Sequence, residues 1–427
     1  MTNYLILICI TAVVISLIKE GNLYNPTFVF SIIWGLIFLI YKYNPYDISE
    51  ASNDTLLCFF IGIGCFLIGT LLLGNIEYTQ NSCHYVRRKK GIQNRSYIDN
   101  YYGNRKAIVI MQMIGATIFA YLGSHGVLSI LSGNSISYIR YYLRLQILDS
   151  RINGMLITYI AEPILYFSLT YSAAKIGIHA FDKYTAISLF LSIFMLIMEL
   201  LTTGGRMGIL YTMVCVFISA VTYQKYSWDN HKKSHIFILA GILLLGGIYA
   251  MYGIALERGD NTFVNTVVYL YGPVGCFENY KSTFLENGYS FTWGLLSTQG
   301  FTRPILKLFG LSNCSFVENV NQAYQLIDSE TYLNQHRFNS ATSCFGYFYF
   351  DFGKIGIAVF SLAFGFFCQK YYTKFFTLRE VKLSHLCLYI LMTGAVALSF
   401  IQFSFASIGF ALSMCLMILF SKLQIRQ

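Results

Sequence analysis

Arg206 stands behind Gly204 and Gly205 in the stretch MELLTTGGRMGILYTMV, Met198 to Val214, whose other residues mostly suit a membrane interior. A guanidinium at mid-bilayer costs about 2.5–3.5 kcal/mol on insertion scales, so its presence there asks for a reason in chemistry or in topology. Arginine grips phosphate and carboxylate groups with a planar fork of donors. Carboxylates and one histidine accompany the arginines of this chain. Glu257 and Asp260 flank Arg258 in YGIALERGDNT, Glu199 lies seven residues before Arg206, and His336 precedes Arg337 in NQHRFNSATS. An anion-binding arginine beside a general acid or base is the chemistry these residue types allow.

Each of these features also has a plainer reading. In SISYIRYYLRLQILDSR, Arg140, Arg144 and Arg151 fall on one face of a single helix at spacings i, i+4 and i+11. Tyr138, Tyr141 and Tyr142 add rings suited to sugar faces or to the headgroup belt. The same segment also reads as an interfacial helix on anionic lipid. Glu257, Arg258 and Asp260 read equally as a solvated helix end. An intramembrane Glu199 requires a partner, and Arg206 is the nearest candidate. A cation that opens a helix opposes the macrodipole, which makes a bound anion near Arg206 the more interesting account.

The elements that must position these residues are membrane spans. The chain has 427 residues, 56% hydrophobic and only 12% charged, with mean hydropathy +0.54 and net charge +10. Soluble domains average roughly 25% charged residues. The composition therefore predicts an all-α polytopic integral membrane protein, and the ~10-residue alternation of a β-barrel is missing. With ~20 apolar residues needed per crossing, the expected spans are 2–18, 24–41, 55–74, 107–123, 153–174, 184–202, 205–223, 235–254, 344–368, 384–402 and 404–421. That is about eleven, within a range of ten to twelve. The last two read as a tight hairpin or one broken helix.

Of the 30 basic residues, 19 fall on one side of this arrangement, which places the N-terminus outside and the C-terminus inside. Seven arginines then lie outside: Arg140, Arg144, Arg151, Arg206, Arg258, Arg303 and Arg337. The outer side also carries the acidic segment 42–54 and one long stretch, 255–343, whose apolar patches suit interfacial or re-entrant helices. The expected division is a bundle of about eight spans over 1–254, a large loop over 255–343 and about three spans over 344–427. The first apolar run reads as a first helix rather than a cleaved leader. Eleven cysteines show no CxxC pair, though Cys276, Cys314 and Cys344 share the long loop and a pairing among them is open. Metal-ligand spacing, a phosphate-binding Walker loop, a GxSxG elbow and any nucleic-acid signature are lacking.

TTGGRMGIL opening a span, the long outward loop, and then FGYFYFDFGKIGIAVFSLAFGF together resemble the O-antigen repeat-unit polymerases, the Wzy family. There a G-x-R turn opens one span, and a Tyr/Phe–x–Asp/Asn–Phe–Gly–x–x–Gly signature begins the span after the large loop. Here the signature is Tyr349, Phe350, Asp351, Phe352, Gly353, Lys354, Ile355 and Gly356. The resemblance implies a GT-C-like glycosyltransferase of the bacterial inner membrane, active on its periplasmic face. It would join undecaprenyl-pyrophosphate-linked oligosaccharide units, donor and acceptor both lipid-linked, among membrane lipids and beside a chain-length regulator protein. No cofactor and no metal are expected. Arg206 corresponds to the pyrophosphate-binding turn residue of the family. Arg258, Arg140, Arg144, Arg303, Arg337, Gly205 and Tyr349 complete the expected binding set, and Glu257, Asp260 or His336 is the expected proton acceptor. An O-antigen ligase and a lipid-linked oligosaccharide flippase or other transporter are the rival readings. Charges gathered at one face, with no matching halves, favour an enzyme over a transporter.

Overall fold

The computed structural model describes the chain apart from residues 21–22, 89–97, 100–104, 136–137, 179, 206, 227–240, 242, 244, 250–261, 312–313, 340–341, 378–380 and 423–427, with several further stretches described in backbone alone. In chain order the helices are α1 (Thr2–Glu20), α2 (Pro26–Tyr43), α3 (Asn53–Arg88), α4 (Arg105–Leu131), α5 (Arg144–Asp149), α6 (Arg151–Leu156), α7 (Glu162–Gly177), α8 (Lys183–Thr203), α9 (Met207–Tyr226), α10 (Thr262–Glu286), α11 (Gln299–Leu308), α12 (Ser315–Asp328), α13 (Ser343–Thr377), α14 (Leu383–Ala397) and α15 (Ile408–Lys422). Four short strands accompany them: β1 (Ile98–Asp99), β2 (Glu330–Leu333), β3 (His336–Asn339) and β4 (Val381–Lys382). β2 and β3 form an antiparallel hairpin with Leu333 opposite His336, and β1 pairs in parallel with β4.

Among the described residues, 7 helical stretches are long and apolar enough to cross a membrane: Thr2–Lys19, Pro26–Tyr43, Asn53–Leu72, Arg105–Leu131, Arg151–Gly177, Lys183–Thr203 and Ser343–Phe375. The protein is an all-α, multi-pass membrane protein. Seven of the eleven expected spans are thus met. The expected span 205–223 begins at Met207 and is shorter than that class. Most of the span expected at 235–254 lies outside the described residues. The spans expected at 384–402 and 404–421 are the 15-residue helices α14 and α15, separated by the Ser404–Ala406 3₁₀ turn. At 1.5 Å per residue such a helix covers about 22 Å, less than a ~30 Å hydrocarbon core.

Helix ends follow local signals. Asn25 accepts the Thr27 N–H at 2.8 Å ahead of Pro26, opening α2. Asp182 does the same for Thr185 at α8, and Gly204 closes α8 in the left-handed region at φ 61°. The expectation of one helical face carrying Arg140, Arg144 and Arg151 is overturned. A π turn over Ile139–Leu143 leads into α5, and Ser150 at ψ 111° ends it, so Arg151 starts a separate helix. The rotational register between the three arginines is lost at that extended residue. Cys276, Cys314 and Cys344 are free, the first and last buried within α10 and α13.

The chain forms two compact units, interleaved in sequence. The first comprises Met1–Arg95, Phe263–Arg379 and Ala395–Ser407, and the second Ser96–Thr262, Glu380–Gly394 and Ile408–Gln427. In the first, α3 and α13 meet so closely that glycine is required on both sides. A Cβ at Gly69 would lie 2.3 Å from the Leu362 carbonyl oxygen, and one at Gly365 would lie 2.2 Å from that of Phe66. Beside this contact sits an aromatic core in which Phe30 stacks on Phe66 at 3.8 Å and Trp34 tilts against Phe345 at 5.0 Å. The second unit uses the same device between α4 and α8, where a Cβ at Gly126 would lie 1.9 Å from the Leu201 oxygen. A buried polar ladder runs nearby: Gln112 Nε2 donates to Ser188 Oγ at 2.6 Å, and Ser188 lies 3.1 Å from Ser172 Oγ. Small residues and hydroxyls at helix contacts suit a solvent in which apolar burial drives little association.

Gly365→Ala is expected to force α3 and α13 apart, at about 1–3 kcal/mol, and to lower the thermal unfolding midpoint of the detergent-solubilised protein. Gly64→Ala, which meets open space, is expected to leave that midpoint unchanged.

Candidate functional site

In the first unit the signature residues lie where α13 breaks. Phe352 (φ −147°, ψ 25°) and Gly353 (φ 62°, ψ −144°) leave helical geometry. The second is a conformation that only glycine adopts without strain. The carbonyls freed by the break find donors in the loop after α10. Thr292 N–H reaches the Phe350 oxygen at 3.0 Å, and Trp293 N–H reaches the Asp351 oxygen at 3.2 Å. Asp351, fully buried, returns the favour with its carboxylate. Oδ1 accepts from the Thr292 hydroxyl and from Leu296 N–H at 3.0 Å, and Oδ2 accepts from Ser297 N–H at 2.9 Å. Past the break, a Cβ at Gly356 would lie 2.1 Å from the Phe348 oxygen, so the second piece of the helix passes closely over the first. Tyr349 is buried against Phe277 at 5.6 Å. Asp351, Gly353, Gly356 and Tyr349 thus each have a defined part in making the break.

A charge network follows directly. Lys281 of α10 is buried, and its Nζ donates to Asp54 Oδ2 at 3.0 Å and to Thr55 Oγ1 at 2.6 Å. Lys354 Nζ donates to Asp54 Oδ1. Glu278 Oε2 accepts from Ser52 N–H at 2.9 Å and Ser52 Oγ at 2.7 Å, and Ser52 Oγ accepts from Thr55 N–H at 3.3 Å, which caps α3. Burial raises the Glu278 carboxyl, but hydrogen bonds from Thr55 and Ser52 and the charge of Lys281 outweigh it and hold the group below the ordinary carboxylate range. Two lysines meet two carboxylates, so this network is balanced and ties α3, α10 and α13 together without a spare cation. The 44–52 connection joins the same end: Asn334 Nδ2 donates to Asp47 O, and His336 Nε2 lies 3.2 Å from Tyr46 O.

The second unit holds a different arrangement. Glu162, at the start of α7, and Glu199, near the end of α8, are both half-buried; the charge of Glu162 acts on Glu199, and that of the exposed Arg144 acts on both. Glu199 Oε1 accepts from Thr203 Oγ1 at 3.0 Å, and Thr203 Oγ1 in turn accepts the Gly205 N–H at 3.0 Å. Glu199 Oε2 is buried and has no hydrogen-bond partner among the described residues. Glycines face both carboxylates. A Cβ at Gly208 would lie 3.1 Å from Glu199 Oε2, and one at Gly409 would lie 2.7 Å from Glu162 Oε2. The opposite end of this unit carries the Arg105–Asp182 ion pair at 2.6 Å. The carboxylates therefore gather at the end where the positive-inside count puts the outside.

The expected site residues divide as follows. Arg206, Glu257, Arg258 and Asp260 lie outside the described residues, and Arg140 and Arg337 are described in backbone only. Arg144 and Gly205 belong to the second unit, and His336, Tyr349 and the exposed Arg303 to the first. Lys281, Lys354, Asp54 and Glu162 entered no expected site. Glu162, four residues before the aromatic Tyr166 in an apolar run, carried the one signal available in advance, an unpaired intramembrane carboxylate. No family model, curated protein or solved structure matches the chain.

Asp351→Ala is expected to strand the Leu296 and Ser297 N–H groups, at about 1–3 kcal/mol each, and to open the 289–298 loop to limited proteolysis; Asp351→Asn, which keeps one acceptor oxygen, should open it less. Glu278 has a depressed folded value, so its contribution to stability is complete above the unfolded value of about 4.3 and is lost as pH falls through the folded one. Thermal unfolding of Glu278→Gln should accordingly show a shallower decline on the acid side than that of the unaltered protein.

Proposed function

We propose that the protein is a surface-polysaccharide polymerase of the bacterial inner membrane, joining undecaprenyl-pyrophosphate-linked oligosaccharide units at the periplasmic face. The observation that carries the reading is Glu199 Oε2, a buried carboxylate oxygen with no partner among the described residues, just before the Gly204–Gly205 turn that leads into Arg206 and facing Gly208 beyond it. A cation for an anionic leaving group and a carboxylate oxygen for a proton are the two requirements of transfer from a glycosyl pyrophosphate. The likeness of TTGGRMGIL and of the Tyr349–Gly356 signature to the repeat-unit polymerases supplies the reaction class.

In this mechanism the donor pyrophosphate docks on Arg206, with Arg144, Arg140 and Arg258 completing the cationic surface. The bond from the anomeric carbon to the pyrophosphate oxygen breaks, and the electron pair leaves with the pyrophosphate. The acceptor hydroxyl oxygen bonds to that carbon, and its proton passes to Glu199 Oε2, the carboxylate oxygen with no described partner. Glu257 and Asp260 are alternative acceptors beside Arg258. His336, engaged with Tyr46 O in the β2–β3 hairpin, serves better to hold that hairpin. The GT-C-like class and a count of about eleven spans belong to the same proposal.

A deletion strain complemented with variants tests it on a polysaccharide gel. Arg206→Ala and Arg206→Lys should leave core plus a single unit, and Glu199→Gln should reduce chain growth about 10²–10⁴-fold while the protein remains at normal abundance. Loss of every unit, including the first, would instead indicate a ligase or a flippase. A normal ladder with Arg206→Ala would overturn the pyrophosphate role.

A further inference from the structure

α11 and the turn after it form an unpartnered amphipathic surface in the first unit. Its outer face exposes Ile305 (54%), Leu308 (83%) and Phe309 (69%), and Phe316 (58%) of α12 extends it. Such a set on a water-facing loop is a liability; apolar patches of this kind mark a contact with lipid or protein. The charge is of one sign. Arg303 and Lys307 are exposed on the same helix, and no carboxylate occurs between Gln299 and Val317. The patch also adjoins membrane-spanning structure. Phe301 stacks on Phe405 at 6.3 Å, Phe405 lies beside Phe403 at 5.8 Å, and Phe403 meets Phe364 of α13 at 5.5 Å.

A narrow, mostly apolar cleft lies beside the helix, lined by Leu295, Leu306, Val317 and Val320 together with Gln299 and Arg303. Gln299 in its lining is 3% exposed, and its Oε1 has no partner among the described residues. The free space is about 20 Å³. That is room for one or two waters, too little for a sugar ring; the Gln299 oxygen, an acceptor, takes a water or a headgroup hydroxyl there rather than a phosphate oxygen.

We propose that α11 lies in the outer leaflet as an interfacial helix, with Ile305, Leu308, Phe309 and Phe316 among the acyl chains and Arg303 on the phosphate of an anionic phospholipid of the same membrane. Basic amphipathic helices bind anionic leaflets through this combination of buried apolar area and charge. The assignment goes beyond the polymerase reading and does not depend on it. It gives the long segment a fixed height at the membrane surface.

The test is fluorescence quenching in the full-length protein carrying Leu308→Trp, reconstituted in vesicles of phosphatidylcholine and phosphatidylglycerol in equal parts. One lipid at a time is brominated near the headgroup end of its acyl chains. The chain has three tryptophans of its own, so the excess over the unaltered protein is read. Brominated phosphatidylglycerol should quench the new tryptophan about fivefold more effectively than brominated phosphatidylcholine, the enrichment expected of one basic side chain at the surface. Adding Arg303→Gln should bring the two lipids to parity while keeping the quenching. Phe309→Trp repeats the measurement at a neighbouring exposed position should Leu308→Trp fold poorly. No excess quenching by either lipid overturns the proposal, and if the emission is blue-shifted as well, a protein surface rather than lipid covers the patch. Equal quenching by both lipids with Arg303 intact overturns the phosphate contact.

Discussion

A helix that breaks inside membrane-spanning sequence frees backbone groups that lipid cannot satisfy, and α13 depends on how that is resolved. The break at Phe352–Gly353 releases the carbonyls of Phe350 and Asp351, and the loop after α10 supplies N–H donors to both. The same loop brings two N–H groups of its own, at Leu296 and Ser297, into a buried place. Asp351 answers those with its two carboxylate oxygens. One aspartate and one glycine therefore let a membrane helix and a long extramembrane segment share a single hydrogen-bond account. Without Asp351 the loop would bury unpaired donors, and without Gly353 the chain would not turn to expose the acceptors.

That arrangement fixes what each unit can offer chemically. Once the break is made, Lys354 reaches Asp54, which Lys281 also holds, and these two lysines are neutralised. A cation already satisfied by a carboxylate at hydrogen-bond distance grips a phosphate poorly, because binding must first break the existing pair. The second unit leaves its charges less well matched. Glu199 has one described donor, the Thr203 hydroxyl, and Arg144 stays exposed while acting on both carboxylates. Tight pairing serves the frame, and loose pairing leaves groups able to exchange a proton or accept an anion.

Much of the frame was legible in the sequence. Seven spans followed from apolar length, and helix ends followed from Asn25–Pro26, Asp182 and Gly204, because caps are local chemistry. The two-glycine turn before Arg206 was legible for the same reason. Two things were not. Ser150 interrupts the arginine-bearing helix although no proline or glycine announces a stop, so a periodicity that looked continuous was in fact cut. The Asp54–Lys281–Lys354 network joins residues 227 and 300 positions apart, and no spacing rule reaches that far. The Tyr349–Gly356 signature was visible as a likeness, but its parts in breaking a helix, capping a loop and passing a carbonyl appear only when the backbone is traced.

Cations that the positive-inside count puts outside thus fall into environments that composition alone cannot separate. Lys281 is buried and serves helix-to-helix adhesion, where a compact ammonium fits between Asp54 and Thr55. Arg144 is exposed beside two carboxylates. Arg303 is exposed beside apolar side chains and Gln299, whose amide oxygen has no partner among the described residues. A guanidinium is weakly hydrated and spreads its donors in a plane, so it can rest at an apolar boundary and still bind an anion, which an ammonium does less well.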